Sequence, residues 1–381
     1  MEQLCVVKKD HSADGLRGIA ALSVVLCHFL IAFYPQGFIY LYPGSAVTGA
    51  RESSVSSFLQ LPMISAFWNG TLAVSLFFVL SGYVLTSAFV SEQGISILRK
   101  RLAKRYFRFC IPVFASVMLS WFIVTSGLGH WKEAASLSGS WWLGHFWSFE
   151  PSFYDAIKEA LYGAIFGGRS FYMPPLWTMK IEFIGSIIVL SYTALKRDKP
   201  SDALVIGVIS IYLYIYARYE ATYYLSFIAG SYLNKINFKP RKPYVFIIML
   251  AALYIGGANG DALYTWLNDD YLDYPLAKQL MSAAAGFLIV MLVKAGFGRK
   301  VFCSKLVQLS GRISFSVYLV HFPILLSFSS YLYIKMHDFE SYDLAIFINF
   351  ILTMAVVVST AYIFMKLFDE SSTKLSQKLI K

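Results

Sequence analysis

The chain has 381 residues, of which 57% are hydrophobic and only 14% are charged, and its formal net charge is +11. Soluble globular domains carry about a quarter charged residues, so the composition excludes that class and indicates a membrane protein. The positive charge does not indicate a nucleic-acid binder, because the sequence contains no separate soluble domain that could carry a basic binding surface.

Apolar runs of about 20 residues, the length of a membrane-spanning helix, recur along the whole chain. They predict an all-α, polytopic bundle of about ten transmembrane helices that forms a single domain over residues 1–381. The predicted spans lie near 16–34, 72–91, 111–129, 175–195, 201–217, 222–234, 243–258, 277–297, 313–334 and 343–367. The polar N-terminus does not resemble a cleavable signal peptide, so we expect the first span to remain as an anchor.

The basic residues predict the orientation of the bundle. In the ten-span arrangement, 24 of the 33 basic residues lie on one side, and acidic residues predominate in the opposite loops. By the positive-inside rule the basic side is cytoplasmic, and both termini lie there. The densest basic cluster, between the second and third spans, consists of Arg99, Lys100, Arg101, Lys104, Arg105 and Arg108.

The longest loops, 35–71 and 130–174, are both expected on the external side. Within the second loop, apolar residues at helical spacing predict a further helix at 153–167, either re-entrant or lying on the membrane surface. The tryptophans of this loop are equally consistent with packing at the membrane surface and with a lid over a binding site. They are Trp131, Trp141, Trp142 and Trp147.

The first span carries an arginine and a histidine on one face. Arg17 and His28 are eleven residues apart, so a helix that turns about 100° per residue brings them within about 20° of each other. The rise between them is roughly 16 Å, about half of a bilayer, and ionisable groups at such depth are candidate functional residues. Arg17 suits a phosphate-bearing ligand or a simple surface anchor, and Asp14 could either pair with it or cap the helix.

Glu182 in the fourth span is expected at the same depth as His28. Both lie roughly 10 Å below the outer ends of their predicted spans. The two side chains could therefore pair, and a carboxylate beside an imidazole orients the ring and raises its basicity, as a general base requires. The alternative is a polar clamp between two helices.

Two further polar residues lie inside predicted spans. His321 precedes Pro323, which would free a backbone carbonyl, so a histidine bonded to that carbonyl is as plausible as a functional one. Ser81 precedes Gly82, a pair that favours close helix packing over a nucleophilic role. The cysteines have no metal-ligand spacing, so we expect no disulfide and no metal site; they are Cys5, Cys27, Cys110 and Cys303.

Several segments, taken in order along the chain, resemble the motifs of the acyltransferase 3 family of integral membrane O-acyltransferases. The first is DGLRGIAA at 14–21, whose Arg17 is followed after ten intervening residues by His28. The others are LFFVLSGY at 76–83, the basic segment with Arg105, Arg108 and Pro112, the LWT stretch at 176–178 followed by Glu182 and Phe183, and SFSVYLVHFP at 314–323.

The resemblance implies transfer of an acyl group, usually acetyl, from cytoplasmic acetyl-CoA to a hydroxyl of a surface glycan or its lipid-linked precursor, such as O-antigen or exopolysaccharide. It implies catalytic roles for His28 and Glu182. Donor-binding roles fall to Arg17, Arg105 and Arg108. We expect supporting roles for Asp14, Ser81, Trp177, Tyr318 and His321. Acetyl-CoA would be a substrate rather than a bound cofactor, and the expected location is the bacterial cytoplasmic (inner) membrane.

The chain departs from some members of the family, and other functions compete. It ends at Lys381, which indicates a stand-alone form without the fused extracytoplasmic hydrolase-like domain, and its segment 366–372 lacks the glutamate–proline pair of many members.

A glycolipid or small-anion transporter or flippase could use the same histidine, glutamate and arginine, but the sequence shows no internal repeat of the kind common in transporters. An inactive receptor-like module is disfavoured because every ionisable motif residue is present.

Overall fold

The computed structural model describes residues 10–47, 49–87, 95–195, 201–259, 264 and 274–379. The side chains of 95–102, 194–195, 201–206, 213 and 274 lie outside this description, and with them part of the basic cluster, namely Arg99, Lys100 and Arg101. Cys5 also lies outside it. The described residues form helices and connecting turns with no β-strand, which confirms the all-α prediction.

Ten long helices coincide with the predicted spans, and we number them in chain order. They are α1 His11–Phe33, α2 Gly70–Ser87, α3 Ile95–Thr125, α4 Trp177–Leu195, α5 Ser201–Tyr216, α6 Arg218–Tyr232, α7 Lys242–Gly256, α8 Tyr274–Lys294, α9 Lys305–Ile324 and α10 Tyr342–Phe364. A π-helical turn, Leu325–Ser329, extends α9 into Ser330–Met336, and another, Met365–Asp369, extends α10 into Glu370–Leu379.

Within the described residues, six helical stretches are long and apolar enough to cross a membrane. They are His11–Phe33, Gly70–Ser87, Ala103–Thr125, Pro275–Lys294, Lys305–Met336 and Tyr342–Leu379. The apolar helices Gly207–Tyr216 and Lys242–Gly256 are shorter. The chain is therefore a helical, multi-pass membrane bundle, whereas the count of about ten spans, the cytoplasmic termini and the single domain stay predictions.

Helices α1 and α9 cross in close contact at the centre of the bundle. A methyl group at Gly18 of α1 would collide with the backbone of Gly311 in α9, and one at Gly311 would collide with the carbonyl of Asp14. Small residues at a crossing let two membrane helices approach closely. This crossing brings the polar side chains of α1 and α9 onto a shared inner surface. We call the end of the bundle where α1 begins the lower end, and the end where it stops the upper end.

The segment 153–167 is helical, and it runs back into the bundle beside α3. Its first ring, Phe153, lies 5.0 Å from the ring of Trp121, whereas Phe166 lies 5.8 Å from Tyr106. The fifteen residues of α3 between these contacts correspond to roughly 22 Å of helix. The segment therefore descends antiparallel to α3, which agrees with the re-entrant alternative, and the chain turns at Gly168 with a φ of 67°.

Helix α4 begins inside the bundle because it follows this re-entrant segment. The turn at Gly168 packs against the side chain of Lys180 and the carbonyl of Trp177, in the first turn of α4. Glu182, one helical turn further on, therefore lies level with Arg105 in the lower half of α3. The sequence instead predicts that this helix starts at the external surface of the membrane.

A buried carboxylate fixes the connecting residues between the re-entrant segment and α4. Glu159 is only 2% exposed, and its two oxygens accept hydrogen bonds from the backbone N–H groups of Phe171, Tyr172 and Met173 at 2.9, 3.1 and 3.4 Å. Backbone donors buried away from water need such partners. The bonds fix residues 171–173, which lie just before α4 and beside a cavity at the upper end of the bundle.

Candidate active site

Two cavities lie along the inner surface formed by α1 and α9. The lower one, of about 240 Å³, is called here the arginine cavity, and its polar lining includes Arg17, Ser81, Arg105, Arg108, Glu182, Arg312 and Asp369. The upper one, of about 660 Å³, is called the aromatic chamber, and its lining includes His28, Tyr42, Trp142, Trp177, Tyr223 and Phe322. Tyr318 and Val74 line both cavities, so the two meet at these side chains.

The arginine cavity brings together arginines from α1, α3 and α9 and two carboxylates, those of Glu182 and Asp369. Arg105 of α3 forms an ion pair with Glu182 of α4, with 2.7 Å between Nη2 and Oε1. Ser81 of α2 donates a hydrogen bond of 2.8 Å to the same oxygen. Arg17 lies 3.7 Å from Asp14, one turn earlier on α1. Four guanidinium groups face two carboxylates in this cavity, so its lining carries an excess of positive charge that favours an anionic ligand.

The three arginines that were predicted to bind the donor all line this cavity. A fourth arginine, which the sequence did not indicate, lines it as well. Arg312 lines it from α9 and pairs with Glu370, with 2.6 Å between Nη2 and Oε1. The π-helical turn after α10 also brings Asp369 to the lining. The helical spacing of Arg312, Phe315 and Tyr318 along one face of α9 was the signal that could have indicated it.

The aromatic chamber is built on one face of α1. Val24, Cys27, His28 and Ile31 follow the i, i+3, i+4, i+7 pattern of a helix face, and all four line the chamber. The ring of Trp142, from the loop 130–174, lies 5.3 Å from the His28 ring at an interplanar angle of 28°.

The loop tryptophans lie in three environments: the chamber, the exposed surface and the core. Trp142 and Trp147 line the chamber, which agrees with the binding-site alternative for this loop, whereas Trp141 is 56% exposed. Trp131 packs in the core of the upper end, 5.2 Å from the Trp147 ring.

His28 of α1 contacts His321 of α9 directly. Its Nδ1 lies 2.9 Å from Nε2 of His321, and the two rings are nearly parallel at 11°. The other nitrogen of His321, Nδ1, lies 3.1 Å from the Val317 carbonyl and 2.8 Å from the Tyr318 carbonyl. Neither carbonyl is the one that Pro323 frees, so His321 bonds to the backbone but not in the way that the structural alternative predicted. The contact with His28 adds a second role.

The hydrogen-bond pattern assigns the protons of the neutral pair. Carbonyl oxygens only accept, so Nδ1 of His321 carries the proton and its Nε2 has a lone pair. The Nδ1 of His28 must then donate to that lone pair. This leaves Nε2 of His28 unprotonated, the state that a general base requires.

The expected pairing of His28 with Glu182 is wrong. Glu182 bonds to Arg105 and Ser81 and lines the arginine cavity, whereas His28 lines the aromatic chamber and pairs with His321. The physical reason is the re-entrant segment, which starts α4 inside the bundle and so places Glu182 beside Arg105 rather than beside His28. A catalytic role of Glu182 stays a prediction, but it does not act by orienting His28.

The remaining predicted supporting residues all lie at or beside these cavities. Trp177 lines the chamber, and the Tyr318 hydroxyl donates to the Pro175 carbonyl at 2.5 Å. Asp14 follows the pairing alternative, since Asp10 caps α1 by accepting from the N–H groups of residues 12 and 13 at 2.9 and 3.3 Å.

The structure also agrees with the packing alternative at residues 81 and 82. A methyl group at Gly82 would collide with the carbonyl of Phe227 in α6, so α2 and α6 cross closely at this glycine. Across the described part of the chain, no three His, Cys, Asp or Glu side chains group in a way that could hold a metal ion.

The helical bundle and its two joined cavities define a multi-pass membrane protein with a polar site enclosed between its helices. The profile of the acyltransferase 3 family, described as an acyltransferase domain, matches residues 10–366, and the chain belongs to this family. The chain is also similar to the O-acetyltransferase PaAT-1 of Phomopsis amygdali, with 26% identity over 370 residues that cover 82% of this chain and 71% of that protein. No solved structure matches the chain. The protein is therefore an O-acyltransferase, as the sequence motifs indicated, while the roles of individual residues stay predictions.

Proposed function

We propose that the protein transfers an acyl group, most simply acetyl, from acyl-CoA in the arginine cavity to a hydroxyl group of an acceptor in the aromatic chamber. The observation that carries this proposal is the His28–His321 pair. This pairing leaves a lone pair on Nε2 of His28. The chamber that His28 lines meets the arginine cavity at Tyr318.

The donor site is supported by the charges of the arginine cavity. Acyl-CoA carries several phosphate groups, and guanidinium groups match phosphate oxygens with two hydrogen bonds each. Arg17, Arg105, Arg108 and Arg312 supply these groups at the lower end of the bundle. By the positive-inside rule this end faces the cytoplasm, where acyl-CoA is made available.

The reaction requires two proton transfers, to and from His28, and one acyl transfer. His28 Nε2 takes the proton of the acceptor hydroxyl while the hydroxyl oxygen attacks the thioester carbonyl. The new oxygen–carbon bond forms, the carbon–sulfur bond breaks, and the proton passes from His28 to the thiolate that leaves. His321 Nε2 accepts a hydrogen bond from the Nδ1–H of His28 throughout, which holds the ring in the reactive tautomer.

The acceptor is proposed to be a glycan of the cell surface or its lipid-linked precursor, such as O-antigen or exopolysaccharide. The chamber's volume of about 660 Å³ lies in the range of sites that enclose a small organic molecule. We place the protein in the bacterial cytoplasmic membrane, with the chamber on the external side. Cell fractionation tests the membrane, and terminal tags with protease protection test the orientation.

The test uses inverted membrane vesicles supplied with isotope-labelled acetyl-CoA. Vesicles with the wild-type protein, with His28→Ala and with no protein are compared by mass spectrometry of glycans, lipids and small molecules. His145→Ala is the matched control, because His145 also lines the chamber but stacks on Trp141 rather than on His321. We expect labelled acetyl on a hydroxyl-bearing product in the wild type and in His145→Ala.

Loss of the general base predicts a rate about 10²–10⁴-fold lower in His28→Ala. Equal labelling in His28→Ala and the wild type would refute the assignment of the base. Movement of an unmodified glycolipid or anion across the vesicle membrane, with no acetylated product, would favour the transporter alternative over the proposed reaction.

A further inference from the structure

Helix α8 contains a buried lysine that the proposed reaction does not use. Lys278 lies within the apolar stretch Pro275–Lys294 and is only 7% exposed. A cation inside a membrane protein is costly and is usually retained for a specific contact. The contacts of Lys278 therefore indicate what it does.

Both contacts of Lys278 fall on two consecutive residues of the upper segment between α1 and α2. Its Nζ donates a hydrogen bond to the carbonyl of Leu41 and lies 3.7 Å from the ring centroid of Tyr42. A cation over an aromatic face is attracted by the ring electrons, and the attraction is stronger when both groups are desolvated. Among the described residues, Lys278 forms no ion pair with a carboxylate, and the Leu41 carbonyl and the Tyr42 ring each stabilise its charge.

The residue that Lys278 holds belongs to the aromatic chamber. Tyr42 lines it together with Cys27 and His28. The Tyr42 hydroxyl oxygen lies 3.8 Å from the Sγ of Cys27, whose thiol donates to it. Thr71, which also lines the chamber, hydrogen-bonds the same hydroxyl. When both neighbours donate, the phenol keeps its own proton for another partner, such as a hydroxyl group of the acceptor.

We propose that Tyr42 hydrogen-bonds the acceptor in the aromatic chamber and that Lys278 is the positioning residue that aims it there. Lys278 fixes Tyr42 from two sides, through the preceding carbonyl and through the face of the ring. The ring then cannot swing away from α1, and its hydroxyl stays beside the residue that precedes the proposed base. This inference rests on the proposed function, because it assigns Tyr42 to the acceptor of that reaction.

The test compares transfer rates in inverted vesicles with labelled acetyl-CoA and the endogenous membrane acceptor. At saturating acetyl-CoA we expect Tyr42→Phe and Lys278→Met each to lower the rate about fivefold, the effect of one lost hydrogen bond. The acetyl-CoA concentration that gives half the maximal rate should stay within twofold. Lys278→Arg, which keeps the cation and the donor, should recover most of the rate.

A double variant separates positioning from general stabilisation. If Lys278 acts through the Tyr42 hydroxyl, Lys278→Met adds no further loss in a Tyr42→Phe background. The matched control is Lys294→Met, because Lys294 lies on the same helix and donates to the Leu233 and Ile236 carbonyls at the lower end. Additive losses, or a parallel rise in the acetyl-CoA requirement, would overturn the proposal.

A second readout does not depend on the reaction. Arg51 is an exposed trypsin site in the same upper segment, so release of Leu41 and Tyr42 should accelerate cleavage there in Lys278→Met but not in Lys294→Met. If the wild type transfers no acetyl group, the proposed function fails, and cleavage alone then reports whether Lys278 holds the segment. Unchanged cleavage in Lys278→Met would overturn the positioning role in either case.

Discussion

Arg105 and Glu182 form an ion pair that joins α3 to α4 across the arginine cavity, with 2.7 Å between their nearest atoms. Their side chains are only 13% and 15% exposed. Removal of one partner from such a pair leaves an uncompensated charge, which typically costs about 3–5 kcal/mol.

We therefore expect Glu182→Gln to lower the thermal unfolding temperature of the purified protein clearly. The matched control is Glu370→Gln, which removes the partner of Arg312 from a pair whose arginine is 56% exposed. Exposed pairs contribute at most about 1 kcal/mol, so this variant should unfold near the wild-type temperature. Equal destabilisation by the two variants would contradict the different burial of the two pairs.

The contact between His28 and His321 predicts that His321 affects the chemical step rather than donor binding. His321→Phe keeps a flat ring but removes the nitrogen that accepts the His28 proton, so the tautomer of His28 is no longer fixed. We expect kcat to fall at least tenfold while the KM for acetyl-CoA stays nearly constant. A rise in that KM with unchanged kcat would place His321 in the donor site instead.

Tyr318 predicts a limit on the size of the transferred group. Its side chain lines both cavities, and its hydroxyl is fixed by the Pro175 carbonyl at 2.5 Å and by Thr178 at 2.7 Å. Tyr318→Ala should widen the junction and raise the rate with butyryl-CoA relative to acetyl-CoA. Phe315→Ala is the control, because Phe315 lines only the arginine cavity. The same ratio in both variants would show that Tyr318 does not set the size limit.

Removal of the Glu159 carboxylate should loosen the backbone locally at the upper end rather than destabilise the whole protein. In Glu159→Ala, three backbone N–H groups lose their acceptor, and each buried orphan costs about 1–3 kcal/mol. Hydrogen–deuterium exchange should accelerate at residues 171–173, next to the chamber wall. Glu150→Ala, which changes an exposed carboxylate of the same loop, should leave that exchange unchanged. Slow exchange in Glu159→Ala would mean that these amides have other partners.

The sequence predicted the helices and the convergence of the arginines because both follow from local patterns. Apolar run length located the ten long helices, and the resemblance to the family's motifs selected Arg17, Arg105 and Arg108, which do line one cavity. The face shared by Arg17 and His28 on α1 also follows from helix geometry alone. These inferences need no knowledge of how the helices pack.

The pairing across helices could not be predicted in the same way. The depth of Glu182 depends on the level at which α4 begins, and the re-entrant segment sets that level through contacts with α3. The partner of His28 depends on the crossing of α1 with α9, two helices almost 300 residues apart in the chain. Arg312 had a recognisable spacing on α9, but only the packing shows that this face meets Arg17.

The junction of the two cavities at Tyr318 and Val74 has an energetic consequence for export. If the donor stays on one side of this junction and the acceptor on the other, only the acyl group has to pass it. In the proposed reaction the nucleotide part of acyl-CoA would stay outside the apolar interior, so the large cost of dehydrating its phosphates would be avoided. Cleavage of the thioester would then drive the movement by itself, with no ion gradient and no alternation of the whole bundle between two open states.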